Sequence, residues 1–357
     1  MSIVQGSGKP TLAAVARQAG VSSPTVSKVI NGREDVAEST RTKVLAALEQ
    51  LGYQSPQQRK HSEGRTAIVE VVFDSLYSAY AVEVLNGVLE QAASVDAQVL
   101  VDVTGHPAAI TLSPERRAQR ILDEGRLGLI VVTSGFSTAQ LNAFRRRHIP
   151  VVVIDPLNPP PSEVVSVGAT NWAGGKAATE HLLELGHRRI AYVGGPESAE
   201  CNQARLHGYM AALMAVGVQV RPDYVMLDKF RPEHGIHSLK ALMALPEPPT
   251  AIFAGSDSIG LGVLAEARRH GLRIPEDLSL VGFDGTYQAE QSIPALTTVT
   301  QPLQEMGRTA LRSVLRQANG EELDSQRVEL ATHLVIREST APPAGGNPGP
   351  APDAPRP

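Results

Sequence analysis

A chain of 357 residues, 42% hydrophobic and 20% charged, exceeds the size of one small core and has the composition of two or three globular folding units. No run approaches the ~20 apolar residues of a membrane span, MSIVQGSGKP lacks an apolar signal core, and the single Cys201 has no partner within the chain; these features argue against a membrane or disulfide-built secreted protein and make the cytoplasm the expected compartment. The net charge of -4 divides unevenly: the first 65 residues carry nine Lys or Arg against five acids, leaving -8 for the remainder, a basic head on an acidic body.

In TLAAVARQAGVSSPTVSKVING, residues 11–32, Leu12, Val15, Ala16 and Ala19 recur at helical spacing behind Thr11, a capping residue, and Gly20 ends the helix. Ser22 or Ser23 can cap a second helix, Pro24 suits its first turn, and Val26, Val29 and Ile30 form its apolar stripe. A third helix, roughly 38 to 51, turns Val44, Ala47, Leu48 and Leu51 inward and stops at Gly52. Two short helices crossing at the small Ala16 around a glycine turn make a helix-turn-helix. The outer face of the second then offers Ser23, Thr25, Ser27, Lys28 and Asn31, short hydroxyls and a cation suited to phosphates and guanine edges in a major groove. One such unit makes few contacts, so a homodimer on a near-palindromic double-stranded operator is expected. The polar, basic stretch SPQQRKHSEGRT, 55 to 66, joins head to body.

Beyond Arg65, the runs AIVEVVF (67–73), AQVLVDV (97–103), LGLIVV (127–132), PVVVID (150–155), RIAYVGG (189–195), YVMLD (224–228), AIFAG (251–255) and LSLVGFD (278–284) alternate with helical segments. Continuous apolar strands between amphipathic helices indicate parallel sheets covered on both faces. Eight or more such units are too many for one small sheet, which predicts two α/β subdomains with a cleft between them and ligand-facing loops at the strand ends. APPAGGNPGPAPDAPRP, 341 to 357, is Pro/Gly-rich and reads as a disordered tail.

The head sequence, followed by VAESTRTKVLAALEQLGY, resembles the LacI/GalR family of bacterial transcriptional repressors. GVLEQA, NWAGGKAATEHLLELGHRRIAYVGGP, ARLHGY, FAGSDSIGLGVLAEARRHGLRIPEDLSLVGFD and LTTVTQP continue the resemblance in order through about residue 338. The resemblance implies a helix-turn-helix head (1–54), a hinge (55–65) and a body like periplasmic sugar-binding proteins (66–340). Crossovers near 167, 300 and 328 would divide that body into one subdomain of about 66–167 and 301–327 and another of about 168–300 and 328–340. It also places Ser23, Pro24 and Lys28 where the family reads bases, and Thr11, Ser22, Thr25, Ser27, Asn31 and Tyr53 where it holds phosphates. Pro24 cannot hydrogen-bond a base, so it is expected to shape the helix start, leaving Lys28 as the specific contact. The hinge departs from the family: YQSPQQRKHSEG has no leucine to wedge into the minor groove, and Arg59 and Lys60 are expected to meet DNA there instead, with less bending.

For the body, the resemblance places Asp155, Arg205, Phe230, Ser256 and Asp284 at ligand-contacting positions, with Tyr77, Ser78 and Tyr80 close by. Arg205 and Asp284 suit hydroxyl pairs, and Phe230 suits an apolar sugar face. Asp257 reads as the N-cap of a helix starting at Ser258, Trp172 as either core or cleft wall, and His187 as a loop support. GGKA around Lys176 mimics a phosphate loop but has Thr170 and Ala177 where that loop needs glycine and Ser or Thr. No nucleophile set or zinc spacing is present, so no enzyme, metal or cofactor is expected. The function expected is a dimeric repressor whose operator affinity is set by a small effector, a neutral sugar or short oligosaccharide, the alternatives being a corepressor such as a purine or a transport-type binding protein.

Overall fold

The computed structural model describes residues 12–30, 36–51, 66–103, 113–133, 137–158 and 160–344. Thr11, Asn31, Tyr53, Arg59 and Lys60, the hinge 55–65 and the chain beyond 344 lie outside these residues, as does the side chain of Ser27. Among the described residues three helices form the head, α1 (Leu12–Ala19), α2 (Ser23–Ile30) and α3 (Glu38–Gln50), around a core of Val15, Ala16, Val26, Val29, Val44 and Ala47. Val21 N–H donates to the Ala16 carbonyl at 3.0 Å and Gly20 N–H to that of Arg17 at 3.3 Å, closing α1. This closure needs a left-handed residue, and Gly20 supplies it at φ +67°. Ser22, rather than Ser23, caps α2: its Oγ accepts from the Thr25 N–H at 3.3 Å, and Pro24 falls in the first turn, where its missing N–H costs nothing.

Among the described residues the body has two six-stranded sheets. Into the first go β1 (Ala67–Phe73), β2 (Ala97–Val103), β3 (Arg126–Val132), β4 (Val151–Ile154) and β5 (Val165–Ala169), with α4 (Ala79–Ser94), α5 (Pro114–Asp123) and α6 (Thr138–Arg145) between them. The chain then crosses to α7 (Asn171–Glu184), β6 (Ile190–Gly194), α8 (Glu200–Ala215), β7 (Val225–Leu227), α9 (Pro232–Met243), β8 (Ala251–Ala254), α10 (Asp257–Arg269), β9 (Ser279–Asp284), α11 (Tyr287–Gln291) and β10 (Thr297–Thr300). It returns to the first lobe with α12 (Leu303–Ala318) and β11 (Arg327–Leu330), and ends in the second with β12 (His333–Val335). The sheet orders are β11-β5-β4-β3-β1-β2 and β12-β10-β9-β8-β6-β7, all parallel except β12 against β10.

Alternation along each strand feeds two cores per lobe. Val69, Val71 and Phe73 pack with Val84, Val88 and Val314, from α4 and α12, while Val72 turns to Ile121 and Phe144 on α5 and α6. In the second lobe Ala191 and Val193 face Leu239 and Val263 on α9 and α10, whereas Ile190 and Tyr192 meet Leu182 and Tyr209 on α7 and α8.

The crossings fall slightly later than the sequence suggests. Val328, Glu329 and Leu330 pair with Val167, Gly168 and Ala169 inside the first sheet, so both strands stay in that lobe to their ends. Thr170 and Thr332 clasp the two exits, the Thr332 N–H donating to Thr170 Oγ1 at 3.0 Å. Ala341, expected to open a disordered tail, is instead pinned to the second lobe. Its N–H donates to Ser279 Oγ at 3.0 Å and its carbonyl lies 2.9 Å from His187 Nε2. His187 thus supports this edge, also reaching Thr250 Oγ1 at 2.9 Å.

Candidate DNA-binding face and ligand cavity

The N-terminal turn of α2 gathers the expected reading groups. Ser22, Pro24 and Lys28 are exposed, Ser23 and Thr25 are partly so, and the Ser22 and Thr25 hydroxyls lie 2.8 Å apart. The cap therefore occupies one oxygen lone pair of Ser22 and leaves both hydroxyls at a helix N-terminus, where the backbone favours negative charge.

In the body a cavity of ≈ 690 Å³ opens between the strand ends of the two lobes, and all eight expected residues line it: Tyr77, Ser78, Tyr80, Asp155, Arg205, Phe230, Ser256 and Asp284. Ser78 and Ser256 owe their places to helix starts. The first accepts from the Ala81 N–H and the second from the Ile259 N–H, both at 3.2 Å, so each caps a helix whose N-terminus points toward the cavity. Asp284 ends β9 and Asp155 directly follows β4, both in positive-φ backbone, at +120° and +43°.

Arg205 is the centre of the site. It is 2% exposed on α8, with Nε donating to Asn171 Oδ1 at 2.8 Å, Nη1 donating to the Gly255 carbonyl at 2.6 Å, and Asp284 Oδ1 3.7 Å away. Its guanidinium lies 3.8 Å from the Phe283 ring centroid and 5.8 Å from that of Phe230. Tyr80 Oη donates to Asp155 Oδ2 at 2.7 Å, and Gln301 Nε2 donates to Asp284 Oδ1 at 2.8 Å. Burial pushes the carboxyls of Asp155 and Asp284 up and the charge of Arg205 opposes it. The result is a planar cation and two carboxyls, already oriented and mostly dehydrated, beside an aromatic ring. Phe230 can lie there because Gly195 has no side chain; a Cβ would come within 2.1 Å of the ring.

Cys201 also lines the cavity, and burial pushes its thiol up to about 12, which leaves it protonated and unreactive. Among the described residues no cluster of three or more His, Cys, Asp or Glu is arranged to hold a metal ion. Lys176 and the glycines before it lie within α7, where the lysine pairs with Glu180, so no phosphate-binding loop forms.

Asp257 is not the cap the sequence suggests. Ser256 takes that place, and Asp257, the first helical residue, accepts from the Thr286 N–H and Oγ1 at 2.7 and 2.9 Å and from Thr298 Oγ1 at 2.6 Å. It ties α10 to the loop that follows Asp284. Trp172 belongs neither to the core nor to the large cavity. It is 47% exposed and lines a smaller cavity of ≈ 100 Å³ with Asp155, Glu200 and Arg327. Sequence reading missed Asn171 and Gln301, the amides that orient Arg205 and Asp284; the available signal was their position just beyond strands that lead out of each lobe.

Residues 11–56 match the family described as bacterial regulatory proteins, lacI family, and residues 179–340 match the periplasmic binding protein-like domain. The HTH-type transcriptional repressor CytR of Escherichia coli (strain K12) is 33% identical over 335 residues, covering 92% of this chain and 96% of that one. A solved transcriptional regulator CelR-cellobiose complex is 31% identical at a TM-score of 0.70, covering 92% of this chain and 99% of its own. The Lac repressor dimer bound to operator and the anti-inducer ONPF is 25% identical at 0.66, covering 94% and 100%.

Proposed function

The chain belongs to the LacI family of bacterial transcriptional repressors, and from that premise we propose that it acts as a homodimer whose hold on a double-stranded operator is set by a saccharide in the body cavity. The observation that carries the effector class is the buried set of Arg205, Asp155 and Asp284 beside Phe230. Vicinal hydroxyls accept from a guanidinium and donate to carboxylates in one plane, while the C–H face of a sugar ring needs an apolar surface. The relative solved with cellobiose supports the reading over nearly the whole chain. The relative solved as a dimer on its operator supports the assembly and the DNA partner.

In the head, Lys28 reads a base while Ser22 and Thr25 hold phosphates and Ser23 lies along the groove. A sugar bound between the lobes favours one lobe arrangement over another, and that preference, passed through the dimer, changes the spacing of the two heads. The test is selection of duplex fragments by the purified chain, with and without a panel of sugars. One near-palindromic sequence is expected to be enriched, with its affinity changed by a sugar and its base preference relaxed at one position by Lys28→Ala. Equal retention of all fragments would sink the operator reading; enrichment indifferent to every sugar would sink the effector reading alone.

A further inference from the structure

Resting on the saccharide reading, we propose that the cavity is built for an oligosaccharide of at least two rings, the inner ring gripped by Arg205, Asp155 and Asp284 against Phe230 and the outer ring laid on Tyr77. The first observation is the state of Tyr77, which is 98% exposed although it stands on the cavity wall. Tyr192, Tyr209 and Tyr224 bury their rings and place every hydroxyl on a hydrogen-bond partner. Tyr77 does neither. The backbone beneath it is fixed: its N–H lies 3.4 Å from Ser75 Oγ, and Ser78, the next residue, caps α4. A flat ring is thus presented to solvent on the wall of the cavity, a surface on which a sugar ring can stack.

The second observation is size and the distribution of polar groups. Small-molecule sites span about 300 to 1,000 Å³ and enclose most of their ligand. At ≈ 690 Å³ this cavity would leave a single pyranose loosely held. Among the lining residues Arg205, Asp155 and Asp284 are buried, whereas Asp74, Lys229 and Arg231 are exposed and Ser75 partly so, each able to meet hydroxyls beyond those held by the buried set. A sugar ring wants one flat platform for its C–H face and polar groups around its edge. Two such stations exist, Phe230 on the second lobe and Tyr77 on the first, so a two-ring ligand would touch both lobes at once.

Calorimetric titration of the full chain with glucose, xylose, galactose and mannose, and with cellobiose, xylobiose, lactose and mannobiose, tests this, with adenosine and cytidine alongside. At least one disaccharide is expected to bind about tenfold tighter than its constituent monosaccharides, equivalent to about 1.4 kcal/mol. Tyr77→Ala is expected to collapse that ratio and Tyr77→Phe to retain it; the exposure of the ring keeps both variants folded, as thermal melts will check. A monosaccharide binding as tightly as any disaccharide, or a ratio untouched by Tyr77→Ala, would overturn the two-ring proposal and leave the saccharide reading standing. No heat from any sugar, with or without binding of a nucleoside, would remove both.

Discussion

Burial governs the carboxyl groups around Arg205, and it makes their protonation measurable. Asp257 is pushed up to about 6 from its ordinary 3.8, chiefly by desolvation, against the hydrogen bonds from Thr298 and Thr286 and the charge of Arg337. The folded chain therefore holds this proton more tightly than the unfolded one. The stabilisation is fully present below pH 3.8 and is lost as pH rises through about 6. Relative to Asp257→Asn, which cannot ionise, the unmodified protein is expected to lose up to about 3 kcal/mol between pH 4 and 7; urea midpoints of the two proteins across that range check it, and parallel curves would show that the carboxyl ionises normally. Arg205→Met removes the cation between Asp155 and Asp284. Leaving buried carboxylates unpaired costs about 3 to 5 kcal/mol, and because burial already pushes both groups up, the deficit is expected to shrink when melts are moved from pH 7 to pH 5.

At the scale of elements, the pair α7 and α8 decides where Arg205 sits. A Cβ at Gly175 would fall 2.3 Å from the Arg205 carbonyl oxygen and 2.8 Å from its Cα, and backbone cannot yield as a side chain can. Gly175→Ala must push the helices apart at a cost of about 1 to 3 kcal/mol and break the Arg205–Asn171 hydrogen bond. Lower thermal stability together with weaker effector binding is the expected result, although Gly175 does not line the cavity; unchanged binding would mean that α8 absorbs the shift elsewhere. The same glycines show what sequence could and could not disclose. Gly174-Gly175-Lys176 resembles part of a phosphate loop, and only three-dimensional packing reveals that Gly174 makes room for Phe283 and Val299 of the sheet and Gly175 for the backbone of α8. Long apolar runs such as AIVEVVF announced strands because a two-faced buried sheet demands them. By contrast β10 (TTVT) and β11 (RVEL) are short and rich in polar residues, so no periodicity betrayed them. The cavity residues were legible because they follow such runs, while Asn171 and Gln301 act through Arg205 and Asp284 across 34 and 17 residues of sequence, a coupling that only the fold creates.

At the scale of the whole molecule, the two lobes are joined by three crossovers and by a few side-chain bridges, which makes their relative arrangement adjustable. Arg327 at the start of β11 reaches Glu200 at the start of α8 at 2.5 Å, one charge on each lobe, beside the small cavity that holds Trp172. Both side chains are partly open to water, so the pair contributes less than about 1 kcal/mol, too little to matter for folding. It can still bias an equilibrium between arrangements by up to about fivefold. In the arrangement seen here, Tyr80 and Asp155 from the first lobe and Arg205 and Asp284 from the second line one cavity, so an effector that touches all four favours it. Arg327→Ala withdraws support from that same arrangement. The dissociation constant for the effector is expected to rise by up to about fivefold with the melting temperature nearly unchanged, read by titration of the single Trp172, whose emission reports this region. Because binding free energies are linked, operator DNA must then alter effector affinity by the same factor with which the effector alters operator affinity, in the variant as in the unmodified protein. Tighter effector binding in Arg327→Ala would mean that the ligand grips a different lobe arrangement, and the sign of the coupling to DNA would have to be rebuilt from that one.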